Sequence, residues 1–389
     1  MNNIIYLDNS ATTRISDEAL KKYNEVSTGF FGNPSSLHKM GFDAEKLLSD
    51  ARGEILRSLN ARGHKVIFTA SGSEANNLAI IGRAFAKERY RRGKKIITTE
   101  GEHASVTEPL LHLEKEGYKV VKIPTIGGKI DIDRLMSELD ESVILVTMMM
   151  VNNETGAIYD VAKAAKLTHA RSPEALVHID ATQSYMKLPI SLSSLQADMI
   201  TLSSHKIEGP KGVGALVVTD KVMTSRGLSP LILGGGQESG MRSGTENVPA
   251  IAAFGEAARV YSAEREARYK SVSETSEYLL DRIAREMPEI SVTMPEKKIA
   301  NIVNVTLPGI KSETMLHFLS SKDIYVSSGS ACSSNDTSHR SSALIAFGRS
   351  ARDADCSIRI SLSYRNTRDD IDALIEALGE GLTRLQRMK

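Results

Sequence analysis

Lys206 follows Ser203, Ser204 and His205 and precedes a Gly-Pro turn in TLSSHKIEGPKG. A lysine in a polar loop is ordinarily a solvated charge. The same amine also forms Schiff bases with carbonyl compounds. Asp180 follows the apolar run ALVHI directly, with Gln183 three residues on. Such an acid either caps the next helix or holds a ring nitrogen protonated. Gly72 lies between Ser71 and Ser73 in ASGSEANN, just ahead of a helix pattern. Backbone N–H groups at a helix start favour an anion such as phosphate. An ordinary serine N-cap explains the same residues. The loop is neither GxGxxG nor a Walker loop, and GPKGVG (209–214) lacks the closing Lys-Ser or Lys-Thr. His103 follows another β-branched run and reads as structural or catalytic alike. Cys332 sits among Gly and Ser in VSSGSACSSNDTSHRSSALIAFG (326–348). The stretch 327–342 is expected to be mobile, because such residues offer little packing area to offset the entropy of ordering. A flexible surface loop suits a reacting thiol. Cys356, ahead of the apolar SIRISL, fits an ordinary buried thiol. Arg359 alternates with Ile358 and Ile360 and must face away from them. It is either a surface strand residue or a fork for a carboxylate.

Strands must hold these positions. KVIFT (65–69), KIITT (95–99), YKVVKIP (118–124), VILVTMMMV (143–151), ALVHI (175–179), ADMITLSS and GALVV (214–218) are short apolar runs. Most are followed by a polar or Gly-containing loop and a helix-like stretch. Their polarity does not alternate, so they predict an α/β fold with a mostly parallel sheet and helices on both faces. Such sheets place ligands at the carboxyl ends of their strands. Asp180 and Lys206 are one strand-to-strand step apart, so their loops emerge on one edge. A phosphate cradle, an acid for a pyridinium and a lysine for a Schiff base together outline a pyridoxal phosphate site.

After about Pro249 the texture changes. A long charged helix pattern runs to about Pro288, then the short strands SVTM, NIVNVTL and SIRISL, then a C-terminal helix from RDDID. This predicts a large cofactor-binding α/β domain over 15–257. A smaller α+β domain takes 1–14 and 258–389 and carries the Cys332 loop and Arg359.

The composition agrees with an ordinary globular chain. Of 389 residues, 41% are hydrophobic and 25% charged, so general disorder is excluded. Lys plus Arg total 49 against 48 acidic residues, a net charge of +1, which argues against a nucleic-acid or anionic-membrane binder. Two cysteines exclude a disulfide framework. None of the nine histidines lies in HExxH and neither cysteine in CxxC, so no metal site is expected. MNNIIYLDNS lacks the features of a signal peptide, and no apolar run reaches bilayer length. A cytoplasmic protein without membrane or nucleic-acid partners is expected.

With these residues assembled, the chain resembles the cysteine desulfurases. They are pyridoxal phosphate enzymes of the class V aminotransferase family and of fold type I. The resemblance spans nearly the whole length through YLDNSATT (6–13), GNPSSLH (32–38), FTASGSEANN (68–77), EGEHASV (101–107), VNNETG (151–156), HIDATQS (178–184), SSHKIEGPKGVGAL (203–216), GGGQESGMRSGTENV (234–248), SSGSACSS (327–334) and SIRISL (357–362). The order SHK then SGSAC is highly specific. The long Cys loop is similar to that of the iron–sulfur-cluster and nitrogen-fixation branch.

The resemblance implies a seven-stranded, mostly parallel sheet and a role for each matching position. Lys206 matches the lysine that carries the cofactor. Asp180 would pair with the ring nitrogen, Gln183 with the ring hydroxyl, and His103 would stack on the ring and move protons. Gly72, Ser73, Ser203 and His205 would hold the phosphate. Thr245 matches a residue that reaches the phosphate from the second subunit, which implies a homodimer. Asn153 and Arg359 would hold the substrate cysteine, and Cys332 would be the nucleophile, with His103 the candidate acceptor of its proton. The implied reaction turns L-cysteine into L-alanine and leaves sulfur on Cys332 as a persulfide. A sulfur-acceptor protein, an iron–sulfur scaffold or a tRNA-thiolation enzyme, would then collect it. An aminotransferase, a selenocysteine lyase and a non-catalytic scaffold are the rival readings. Two motifs depart from the family. ASGSEANN stands where many relatives have SGATE, with its backbone donors intact. SYRNT (363–367) stands where Gly-Arg-Phe is usual and bears on partner docking more than on chemistry.

Overall fold

The computed structural model describes residues 4–86, 93–328 and 341–387. Cys332 and most of its loop lie outside the described residues. The expected mobility of 327–342 therefore falls mostly outside them as well. The chain enters through a two-residue strand, β1 (Ile5–Tyr6). Seven further strands build the large sheet. They are β2 (Lys65–Thr69), β3 (Lys95–Thr99), β4 (Lys119–Ile123), β5 (Val143–Met149), β6 (Leu176–Asp180), β7 (Met199–Ser203) and β8 (Gly214–Val218).

Their order across the sheet is β2-β8-β7-β6-β5-β3-β4. Four neighbouring pairs are parallel: β3–β4, β3–β5, β5–β6 and β6–β7. β8 alone runs the other way, antiparallel to both β2 and β7. All residues of β5, β6, β7 and β8 are buried, as helices on both faces require. Edge strand β4 leaves Lys119 and Lys122 exposed, which blunts an edge that has no further partner among the described residues.

The second sheet is small and antiparallel. Its strands are β9 (Ser291–Thr293), β10 (Ile302–Thr306), β12 (Ser327–Ser328) and β13 (Ser357–Ser361), in the order β12-β13-β10-β9. The strand β11 (Ile324–Tyr325) pairs in parallel with β1 instead. Helices Ser312–Ser320 and Arg368–Arg387 complete this part.

One 39-residue helix, Val248–Glu286, joins the two regions. Asn247 caps it and Pro249 occupies its first turn, where a missing N–H costs nothing. Ala250, Ala253, Ala257 and Ala258 pack in one hydrophobic cluster, and Val272, Leu279 and Ile283 in another. The small residues permit a close helix–helix crossing. A Cβ at Gly255 would sit 2.7 Å from Ala51 Cα of helix Lys39–Ser58. Ile5 and Leu7 pack in the second cluster, while Ile15 lies against the first. Among the described residues no helix is long and apolar enough to cross a membrane.

Candidate active site

The carboxyl ends of β2, β3, β5, β6 and β7 share one edge of the large sheet, because β8 is the one reversed strand. A cavity of about 260 Å³ opens there. Of the positions singled out in the sequence, Gly72, Ser73, His103, Asn153, Asp180, Gln183, Ser203, His205, Lys206 and Arg359 line it. Thr245 does not; it lines a separate hollow with Ala70 and Arg242.

Helix Gly72–Ala84 begins at the cavity wall. Ser71 Oγ accepts the N–H of Glu74 at 3.1 Å, so the cap is Ser71, while Gly72 and Ser73 form the helix start beside the cavity. A Cβ at Gly72 would lie 3.3 Å from both Ser203 Cβ and Thr182 Oγ1. Glycine thus lets the loops after β2, β6 and β7 converge closely. Ser73 adds a hydroxyl to the first turn, where backbone N–H groups lack partners within the helix.

Asp180 ends β6 and is buried. No helix follows it directly, so it is not a helix cap. One carboxylate oxygen accepts Thr182 N–H at 2.9 Å and the other accepts Asn76 Nδ2 at 2.8 Å. Gln183 donates from Nε2 to the Ser10 carbonyl at 2.9 Å. Its Oε1 accepts from Lys187 Nζ at 3.1 Å. Lys187 is buried, and burial with the nearby Lys206 and Arg359 charges pushes its titration down to about 7.

Lys206 donates to the Ala11 carbonyl at 2.8 Å and to the Ser10 carbonyl. The N-terminal segment thus holds the lysine through backbone. His205 Nδ1 lies 3.1 Å from Thr12 Oγ1, and burial and neighbouring lysines push its ring down to about 4. His103 caps helix Ala104–Lys115, and burial lowers its titration. The preceding Glu102 is fully buried, which pushes its carboxyl up to about 8.

Arg359 projects from β13. It is 3% exposed and so is not a surface strand residue. Nη1 donates to the Asn153 carbonyl at 2.9 Å, and Nη2 pairs with Asp8 Oδ1 at 2.9 Å. Nε is buried with no partner among the described residues. Cys356 is buried, as its position before an apolar strand predicts.

The sequence reading did not single out Asp8, Ser10, Ala11, Asn76, Ser105 or Lys187 as site residues. YLDNSATT carried the first three, but no local rule says that its carbonyls meet a lysine almost two hundred residues away. The SYRNT departure also works inside the molecule. Tyr364 Oη donates to Glu208 at 3.2 Å and Arg365 Nε donates to it at 3.2 Å. Arg268 donates to Glu208 at 2.8 Å, and its guanidinium stacks 4.1 Å from the Tyr364 ring centre. This knot is centred on the buried Glu208, two residues after Lys206, and ties its loop to the long helix and the end of the small sheet.

The cavity thus holds a lysine, a buried carboxylate, an imidazole, a helix start with Ser73 and a buried guanidinium. Ser10 Oγ, Asn76 Oδ1 and Arg359 Nε are buried without partners among the described residues, and all three residues line it. A polar aromatic ligand with an aldehyde and a phosphate suits this donor set, so the residues present fit pyridoxal phosphate.

The fold is that of the fold type I pyridoxal phosphate enzymes. The sequence pattern of the aminotransferase class-V family matches residues 5–374, and the chain belongs to that family. It is similar to cysteine desulfurase IscS 1 of Archaeoglobus fulgidus, at 36% identity over 384 residues, covering 98% of each chain. A solved NifS-like protein superposes with a TM-score of 0.90 at 32% identity, covering 98% of this chain and 100% of its own. A structure titled SspA in complex with cysteine superposes with a TM-score of 0.79 at 31% identity, covering 93% of this chain and 99% of its own.

Proposed function

We propose that the chain is a cysteine desulfurase, converting L-cysteine into L-alanine and carrying the released sulfur on Cys332. The observation that carries this reading is the convergence of Lys206, Asp180, His103 and Arg359 on one cavity, in a chain whose relatives bear that name. Bound pyridoxal phosphate supplies an electron sink for the carbon next to the substrate amine. Lys206 would hold it covalently. Asp180 would keep the ring nitrogen protonated, and Gln183 would face the ring hydroxyl. Gly72, Ser73, Ser203 and His205 would hold the phosphate, with the partner subunit's Thr245.

Arg359 would grip the substrate carboxylate, with Asn153 alongside. Its Nε, unpartnered among the described residues, supports this, because a buried guanidinium with an unused donor favours an incoming anion. The Lys206 amine would take the α-proton. Cys332 as thiolate would attack the substrate sulfur. The S–S bond forms as the C–S bond breaks, its electron pair stays with the carbon fragment, and protonation completes alanine. The persulfide would then pass to an acceptor protein, for cluster assembly or tRNA thiolation, in the cytoplasm.

A homodimer belongs to this reading. Phe31, Leu37, Phe42 and Leu233 are large apolar side chains between 62% and 90% exposed, which supports a further protein surface against them. The place of Thr245 outside its own chain's cavity supports the same arrangement.

Cys332→Ala tests the reading. The variant should bind pyridoxal phosphate and cysteine yet release no sulfide, while Cys356→Ala stays active. Mass spectrometry after mixing with cysteine should show one added sulfur on the Cys332 peptide. Full alanine and sulfide production by Cys332→Ala would return a transaminase or lyase reading.

A further inference from the structure

His103 begins helix Ala104–Lys115, and its Nδ1 accepts the backbone N–H of Ser105 at 3.1 Å. A backbone N–H only donates, so this nitrogen carries no proton. The Ser105 hydroxyl lies 2.8 Å from the same nitrogen. Its direction is set one step further back. Asn76 Nδ2 donates to Asp180 at 2.8 Å and to Ser105 Oγ at 2.8 Å. A carboxylate oxygen accepts, so the amide must turn its nitrogen toward Asp180. The second proton of that nitrogen then meets Ser105 Oγ, and Ser105 passes its own proton toward His103. Every link runs one way, from amide to imidazole. The arrangement leaves Asn76 Oδ1 buried without a partner among the described residues.

We propose that His103 acts as a neutral imidazole protonated on Nε2, a hydrogen-bond donor to the cavity, and that Asn76 and Ser105 are the positioning residues that set this state. The proposal rests on the reading that His103 faces cofactor and substrate. It changes the assignment of proton transfers. A ring with Nδ1 committed to Ser105 and hydrogen on Nε2 offers the cavity no lone pair. It takes neither the α-proton nor the Cys332 proton, and its use is to steady a negative charge or hand a hydrogen bond to the reacting groups. Protonating the ring would set Nδ1–H against the Ser105 N–H. The helix start adds opposition in the same direction. Asp180, Lys206 and Arg359 face the ring from three other elements. Burial lowers its titration first, Asp180 opposes that, and the two cations reinforce it. Glu102 beside it is itself held toward the neutral form by burial.

Nitrogen-15 NMR of the holoenzyme carrying labelled histidine reads the tautomer without turnover. His103→Gln supplies the assignment. The expected spectrum shows a protonated Nε2 and a bare Nδ1 for His103. Ser105→Ala removes one donor to the neutral ring, so its titration midpoint should rise by about half to one pH unit. Ser105→Thr should restore it. A protonated Nδ1, or a midpoint unmoved by Ser105→Ala, would overturn the proposal. An enzyme with the expected tautomer that makes no alanine from cysteine would instead overturn the desulfurase reading and leave the tautomer standing.

Discussion

In the large sheet the chemical groups stand at strand ends. Asp180 is the last residue of β6, Ser203 the last of β7, and Lys206 follows three residues on. In the small sheet Arg359 is the middle residue of β13, paired with Asn304 on one side and Ser327 on the other. A strand end in a parallel sheet meets a loop and a cavity by construction. A mid-strand side chain reaches a cavity only if a second layer of the molecule is brought against its face. In the proposed function the strand-end groups serve the cofactor, whose place would be local to one sheet. In the same proposal the mid-strand arginine serves the substrate, since Arg359 reaches the cavity from the small sheet.

This contrast can be tested by what each removal changes. Lys206→Ala should abolish turnover and the cofactor's long-wavelength absorption band together, because only an amine there can bond the aldehyde. Turnover at the parental rate would take Lys206 out of the role. Asp180→Asn should leave cofactor bound and lower kcat by about 10²–10³, corresponding to about 2.7–4 kcal/mol for one lost electrostatic partner. A stopped-flow rate equal to that of the unaltered enzyme would contradict it. Arg359→Ala should act on affinity instead. KM for cysteine should rise about tenfold or more, from a charge-assisted pair of roughly 1.5–3 kcal/mol, with the cofactor spectrum unchanged. A loss of cofactor with KM unaltered would erase the division between the two sheets.

The smallest effect concerns Glu102, beside the strand-end groups but outside the chemistry. Its folded pKa is raised to about 8 by burial. The folded state therefore binds the extra proton between the ordinary carboxyl range and pH 8. Its contribution to stability is full at low pH and is lost as pH rises through about 8. Glu102→Gln resembles the protonated form, so its urea midpoint should fall less than the parent's between pH 5 and 8. Parallel midpoints would show that Glu102 ionises as an ordinary carboxylate.

Much of this was legible in the chain. The runs KVIFT, KIITT and GALVV coincide with β2, β3 and β8, because strands buried over nearly their whole length need mostly β-branched and apolar residues. Asp180 and Lys206 were visible because each closes or follows such a run. What stayed hidden was of two kinds. β1, β11 and β12 are two residues long and carry no period to detect. Asn76 and Lys187 lie inside helix or turn patterns, where an amide or an amine looks like solvent-facing surface. Only the burial of these two residues exposes their bonds to Asp180 and Gln183.

Order along the chain therefore determined the mostly parallel sheet, the edge at which ligands sit, and the lysine and acid placed there. Those features follow from hydrophobic periodicity and from strand ends, which are local. Tertiary structure decided which alternative each ambiguous residue took. Arg359 is buried at the cavity rather than on the surface, since the small sheet packs against it there. His103 is proposed as a donor rather than a base, since Ser105 bonds its Nδ1 and Asn76 in turn bonds Ser105. SYRNT became a clasp on Glu208, since the long helix delivers Arg268 between Tyr364 and the lysine loop. Hydrogen-bond direction and burial depend on neighbours far apart in the chain, and no local pattern of residues encodes them.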